Sequence, residues 1–158
     1  MITKTRKKIA SILVAAALLC PMFVMSVSAA NTTDVSWSMT SSNSGFKYLG
    51  ASRVKTDGTP IYFKWKTSVS SYVVRVEILG TNAQPVTNWG QVYNWTYKNG
   101  KKRNYAVCNK GINYSLHSYV YEKGYPYVTL GITTDKNEKI SGVWSADSKN
   151  TYNEAVYY

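Results

Sequence analysis

Apolar and polar residues alternate along most of the chain after residue 34, a pattern typical of strands that bury one face. Apolar side chains stand at every second position in four runs: Val35, Trp37 and Met39; Ile61, Phe63 and Trp65; Tyr72, Val74, Val76 and Ile78; and Tyr93, Trp95 and Tyr97. Residues 114–121 and 125–133 are two further runs rich in Tyr, Val, Leu and Ile. Helical periodicity is nearly absent, so the pattern predicts an all-β fold.

Short polar segments separate these runs and predict the turns between strands. They cover residues 56–59, 99–100, 122–124 and 135–138. Asn99-Gly100 is the strongest hairpin signal, because both residue types tolerate positive φ. The spacing predicts six to nine short strands in a single antiparallel β-sandwich or barrel-like domain over residues 46–158. Residues 31–45, rich in Ser, Thr and Asn, are expected to form a loose N-terminal segment.

Residues 1–30 have the three parts of a secretory signal peptide. The basic start holds Lys4, Arg6, Lys7 and Lys8 and no acidic residue. An apolar run over residues 9–24 follows, which is short for a membrane span. Small residues come next, so a peptidase is expected to cut after Ala29 or Ala30. The mature chain would then be secreted, without a transmembrane segment.

Two alternatives to a cleaved leader stay open. The first is an uncleaved membrane anchor, but Pro21 and the small residues that follow the apolar run favour cleavage. The second is a lipoprotein modified at Cys20, but Leu19 stands where lipidation normally needs a small residue. Cleavage therefore explains the sequence best.

Charge and cysteine usage indicate the compartment and the kind of partner. Without the four basic residues of the leader, 15 basic residues face eight acidic ones, a formal charge of +7. Such a protein attracts polyanions, and we expect an anionic wall polymer or a surface protein in preference to nucleic acid. Cys108 is the only mature thiol, so no intramolecular disulfide can form. An exported domain without disulfides fits a Gram-positive bacterium best.

The segment from residue 89 to residue 108 is the strongest candidate for a binding surface. Aromatic side chains precede a hairpin tip with four cations in six residues. The candidate residues are Trp95, Tyr97, Lys98, Lys101, Lys102, Arg103 and Lys110. Rings can stack on sugars or bases, and cations can meet phosphate. The alternative is a buried aromatic stripe beside a solvated turn, whose charges discourage edge pairing.

Other chemistry has weaker support. Cys108 and His117 could form a nucleophile pair on neighbouring strands, but no flanking hydrolase signature surrounds them, and a lone Cys is usually a core residue. Glu77 lies on the polar face of a strand, and the remaining candidate acids lie in expected turns: Asp135, Glu138, Asp147 and Glu154. No two acids pair visibly as a glycosidase requires, and Asp135-x-Asn137 lacks the later residues of a calcium loop. We therefore expect no catalytic residue, metal or cofactor.

The C-terminal half resembles a family of small secreted proteins from Gram-positive bacteria that is grouped as a domain of unknown function. Three segments carry the resemblance: residues 113–125, which close in Glu-Lys-Gly-Tyr; residues 128–132; and residues 141–148, Ser-Gly-Val-Trp-Ser-Ala-Asp-Ser. Ala146 departs from a proline that is frequent at its position. Because members can lie near export or bacteriocin-type transport systems, the resemblance implies at most a role in peptide antagonism or immunity. It implies no catalytic residue.

Three hypotheses follow. The first is a secreted, non-enzymatic β-domain that binds the cell wall or a surface partner. The second is a bacteriocin-like or bacteriocin-accessory protein that acts on other cells. The third is a hydrolase that uses Cys108 and His117. The small number of ionisable residues in apolar context favours the first.

Overall fold

The computed structural model describes residues 31–68 and 70–158, so the expected signal peptide and its cleavage positions Ala29 and Ala30 lie outside it. The strands are β1 (Val35–Thr40), β2 (Lys47–Tyr48), β3 (Arg53–Val54), β4 (Ile61–Thr67), β5 (Val73–Thr81), β6 (Val92–Asn94), β7 (Tyr97–Lys98), β8 (Lys101–Lys102), β9 (Ala106–Asn109), β10 (Asn113–Leu116), β11 (Tyr127–Thr134), β12 (Lys139–Ser145), β13 (Asn153–Glu154) and β14 (Val156–Tyr157). A 3-10 turn covers Trp89–Gln91. The strand count exceeds six to nine because several strands have two residues. No helix in the described part is long and apolar enough to cross a membrane.

Two main sheets pack together as a β-sandwich, which confirms the predicted all-β class. The first sheet has the order β1-β12-β4-β10-β13, and the second has the order β14-β9-β5-β11-β2. The short strands β3 and β6 pair with β11 and β5, and β7 and β8 form a separate hairpin. Pairing is antiparallel throughout the described sheets except between β10 and β13.

The core forms where the alternating runs of the two sheets face each other. Ile61, Phe63 and Trp65 of β4 and Val74, Val76 and Ile78 of β5 are all fully buried. Burying a side chain of this size stabilises the folded state by about 1.5–3 kcal/mol. The period-two pattern therefore identified the inward faces of both central strands.

The expectation of a loose segment over residues 31–45 was wrong for its central part. Val35–Thr40 pairs with β12 along its whole length. The cause is Trp37, which is 7% exposed and stacks on the Phe63 ring at 5.7 Å. A second difference concerns Tyr72, which is 84% exposed because β5 begins one residue later.

The segment that follows β12 is buried rather than an exposed turn. Asp147, expected in a turn, is completely buried. Its carboxylate pairs with the ammonium group of Lys55, whose side chain is 1% exposed. Thr56 donates a hydroxyl hydrogen bond of 2.7 Å to the same carboxylate, and the Asn31 backbone N–H donates one of 2.8 Å. These contacts tie the start of the described chain and the β3–β4 connection to the end of β12.

Candidate anion-binding surface

The backbone between β6 and β7 leaves the main sheet at Trp95. β6 pairs with the end of β5, but the strand then breaks, and Thr96 makes only an isolated bridge. The Trp95 N–H donates to the carbonyl of Ile78 at 2.8 Å, and the Ile78 N–H donates to the Thr96 hydroxyl at 2.9 Å. The single strand predicted through Tyr93, Trp95 and Tyr97 is therefore two short strands with a fixed bend.

The hairpin predicted at Asn99-Gly100 is confirmed. Both residues have positive φ, 51° and 74°. Tyr97 pairs with Lys102, and Lys98 pairs with Lys101. The turn chemistry of the sequence thus places two successive lysines on the return strand β8.

Two lysines from distant parts of the chain meet at one indole ring. The ammonium groups of Lys102 and Lys123 lie 5.4 Å and 5.2 Å from the centroid of the Trp95 ring. Lys123 belongs to the turn after Tyr119, where its backbone N–H donates to the Tyr119 carbonyl at 3.0 Å. Each ammonium–indole contact stabilises the arrangement by about 0.5–1 kcal/mol. The ring therefore contacts two like charges.

Two tyrosines extend this cluster. The Tyr125 ring lies 6.2 Å from Trp95 and 5.7 Å from Tyr93, which is 54% exposed. Gly80 makes room for the cluster, because a Cβ atom there would stand 2.8 Å from the Tyr125 ring and 3.0 Å from Trp95. Tyr93, Trp95, Lys102, Lys123 and Tyr125 are called the aromatic–cation surface below.

The aromatic–cation surface carries uncompensated positive charge. Within the described chain, neither Lys102 nor Lys123 has a carboxylate within ion-pair distance. Lys101, next to Lys102, is exposed. Because like charges repel, such a group of cations favours a bound anion. Since lysines already contact Trp95, Tyr93 offers the more accessible ring for stacking.

The remaining candidates of the sequence analysis take other places. Lys98 forms an ion pair with Glu154, so its charge is neutralised. Tyr97 is half-buried and stacks on Tyr119 at 3.9 Å. Arg103 is half-buried, and its Nε atom has no hydrogen-bond partner among the described residues. Lys110 does not lie near the hairpin: it follows the far end of β9 and donates to the Ser68 carbonyl at 3.1 Å.

The geometry disfavours a nucleophile pair of Cys108 and His117. Cys108 is completely buried on β9, as expected for a core residue, and burial raises the pKa of its thiol far above the usual range. His117 follows β10 in the other sheet, where burial and the charge of Lys98 lower its pKa against the opposing effect of Glu154. A neutral buried thiol is a poor nucleophile.

The acidic residues do not converge. Within residues 31–68 and 70–158, no group of three His, Cys, Asp or Glu side chains could hold a metal ion. Glu138 accepts backbone hydrogen bonds from Ser70 and Ser71 at 3.0 Å and 2.8 Å. Glu77 is half-buried, and desolvation raises its pKa to about 7, although a hydrogen bond from Asn94 opposes the shift. The carboxyl groups of Glu138 and Glu77 thus form hydrogen bonds within the fold.

Sequence reasoning missed Lys123 and underrated Tyr93 and Tyr125. Lys123 was assigned only to a turn, although it lies 28 residues after Trp95 and contacts its ring. A signal was present, because the turn over residues 122–124 joins two tyrosine-rich segments. The bend at Trp95, which brings the two regions together, is a tertiary feature with no local sequence signature.

Comparison with known proteins identifies a family. Residues 25–148 match the model of a family described as "Protein of unknown function (DUF2712)". No curated protein matches the chain. No solved structure matches it either.

Proposed function

This chain belongs to the DUF2712 family. We propose, from its own geometry, that it is a secreted, non-enzymatic module that binds an anionic polymer of the cell exterior. The aromatic–cation surface is the proposed binding site. The observation that supports the proposal most strongly is the meeting of Lys102 and Lys123 at the Trp95 ring without a neutralising carboxylate.

The arrangement suits a polymer better than a small ligand. The cations project from an exposed turn and an exposed strand rather than into a cavity. Each cation contributes little alone, but a chain of repeated phosphate or carboxylate groups can contact several of them at once. The formal charge of +7 outside the leader adds long-range attraction to such a chain.

Secretion is part of the proposal. The expected mature form begins at Ala30 or Asn31, and the Asn31 backbone N–H donates to Asp147 at 2.8 Å. N-terminal sequencing of the protein in the culture fluid should return one of these two residues. Recovery from membranes alone, with Met1 intact, would contradict secretion and leave the binding surface to be tested separately.

The binding test is retention on purified cell walls with and without their anionic polymer. A variant with Lys101→Ser, Lys102→Ser and Lys123→Ser should lose most retention on complete walls. The control variant changes three other exposed lysines and removes the same charge: Lys66→Ser, Lys136→Ser and Lys139→Ser. The walls should retain more of the control variant than of the first variant. Lys136 and Lys139 lie near the end of β11, whereas Tyr125 lies before its start.

The salt dependence separates specific charge contacts from other adhesion. Screening shortens the Debye length from about 10 Å at 0.1 M salt to about 3 Å at 1 M. Retention of the unmodified protein should fall steeply over that range and be low on walls without the polymer. Equal retention of the two lysine variants would show that net charge alone, not this surface, is responsible.

A further inference from the structure

A groove lies between the edge strand β1 and the segment that joins β2 to β3. It has a volume of about 430 Å³ and is lined by Trp37, Leu49 and Trp144 together with Ser36, Ser38 and Arg53. β1 pairs with β12 on one side and has no strand on its other side within the described chain. The groove therefore runs beside an open sheet edge and is separate from the aromatic–cation surface.

The backbone of β1 presents hydrogen-bonding groups at this open edge. The Ser41 N–H donates to the Glu138 carbonyl at 2.8 Å, in register with the pairing of Thr40 with Lys139. Because antiparallel pairs alternate, the N–H and C=O groups of Ser36, Ser38 and Thr40 face away from β12. The Thr40 carbonyl accordingly accepts from Lys47 Nζ at 3.2 Å. Ser36 and Ser38 thus offer donors and acceptors to the groove.

At Ser36 and Ser38 the edge lacks the usual protection against pairing, since the Lys47 ammonium covers the Thr40 carbonyl farther along the strand. Val35–Thr40 contains no charged residue and no proline, which commonly guard an exposed edge strand. Two buried donors of the lining residues, Trp37 Nε1 and Arg53 Nε, have no hydrogen-bond partner among the described residues. Buried donors of this kind are normally satisfied. An occupant with acceptor groups would satisfy the outward N–H groups of Ser36 and Ser38, whereas these two side-chain donors lie beneath the surface.

We propose that the groove binds an extended peptide segment of a partner protein, which pairs with β1 and places an acidic side chain at Arg53. Main-chain bonds to Ser36 and Ser38 would give affinity, and an apolar side chain over Trp37 and Leu49 would give selectivity. Asp34 and Asp147 both act on Arg53, but the positive charge of the whole domain still favours an acidic segment there. A second copy fits less well, because the segment from Leu49 to Arg53 stands beside β1 in each copy.

Selection from a displayed random heptapeptide library on the purified chain tests this inference. Enriched peptides should alternate β-branched with other residues and carry an acidic residue. Ser38→Pro removes the outward N–H without touching the pairs with β12, so it should weaken the selected peptides at least about tenfold, whereas Ser38→Ala should not. Arg53→Gln should weaken the binding of the acidic peptides. It should have a smaller effect on the binding of peptides in which Gln replaces the acidic residue.

A second measurement leaves the protein unchanged, in case Ser38→Pro fails to fold. N-methylation of the peptide nitrogens that face β1 should abolish binding, and methylation of the alternate nitrogens should leave it intact. The variant without Lys101, Lys102 and Lys123 should bind the peptides normally, so the polymer proposal can fail independently. Absence of enrichment, binding that survives methylation at every position, or a dimer that Ser38→Pro dissociates would overturn the inference.

Discussion

Several contacts specify the environment of Asp147. Burial alone would raise the pKa of its carboxyl group, but hydrogen bonds from Lys55, Thr56 and Asn31 and the charge of Lys55 hold it below the ordinary value of 3.8. A carboxylate with a depressed pKa stabilises the folded state above its unfolded-state pKa, and this contribution is lost as the pH falls through the folded-state pKa. The buried pair therefore contributes to stability at neutral pH and fails in acid.

Asp147→Asn should lower the free energy of unfolding at pH 7 by about 3–5 kcal/mol, because it leaves the Lys55 ammonium buried without its counter-charge. Urea denaturation at pH 7 and below the unfolded-state pKa of about 3.8 measures the effect, which should shrink in acid. Asp135→Asn, at an exposed turn, is the matched control and should have almost no effect. A similar loss for both variants would contradict this role of the buried pair.

Glu77 should behave in the opposite way. Its pKa is raised to about 7 from 4.5, so between these values the folded state holds a proton that the unfolded state has released. Stability should therefore fall as the pH rises from about 4.5 to 7. Glu77→Gln should remove this slope and stabilise the domain at pH 8 by roughly 1–2 kcal/mol, allowing for solvent screening. Thermal unfolding of both proteins between pH 4.5 and pH 8 measures this dependence. The same slope of stability against pH in Glu77→Gln as in the unmodified protein would contradict the argument.

At the scale of elements, local patterns predicted regular strands well and irregular ones poorly. Ile61, Phe63 and Trp65 alternate in the sequence and are buried in β4, because a long central strand has neighbours on both sides. The same alternation through Tyr93 and Tyr97 did not give one strand. There, the hydrogen bonds of Ile78 with Trp95 and Thr96 override the local preference.

Some features of the candidate site could be predicted from the sequence, and others could not. The hairpin at Asn99-Gly100 could be predicted, because its backbone conformation depends on those two residues. The neutralisation of Lys98 by Glu154 could not be predicted, since 56 residues separate the partners. The same holds for Lys123 at Trp95. Sequence reasoning identified the cationic turn but not which of its charges stay available.

The hairpin turn itself is testable. Gly100 has a φ of 74°, which a residue with a Cβ atom adopts only at a cost of about 1 kcal/mol. Gly100→Ala should therefore distort the turn, displace Lys101 and Lys102, and reduce wall retention severalfold while changing the melting temperature little. Gly45→Ala is the control, since a Cβ atom there meets nothing within 4 Å. Equal wall retention of the two variants would show that the turn does not position the lysines for binding.

At the scale of the whole molecule, the sandwich separates two surfaces. The aromatic–cation surface lies at the start of β11 and beside β6, and the peptide groove lies along β1 at the edge of the other sheet. A module with both could attach to an anionic wall while it holds an acidic segment of a partner. Under both proposals, the net positive charge serves to attract acidic partners.

The most direct test of the proposed function is a nuclear magnetic resonance titration of residues 31–158, the expected mature chain, with a soluble phosphate-bearing wall polymer. The chain has five tryptophans, and their indole N–H signals can be resolved from one another. The Trp95 signal should move on binding, because Lys102 and Lys123 contact its ring, whereas the signals of the core residues Trp65 and Trp144 should stay. A saturating titration that leaves Trp95 unmoved, or that moves Trp37 in its place, would contradict polymer binding at the aromatic–cation surface.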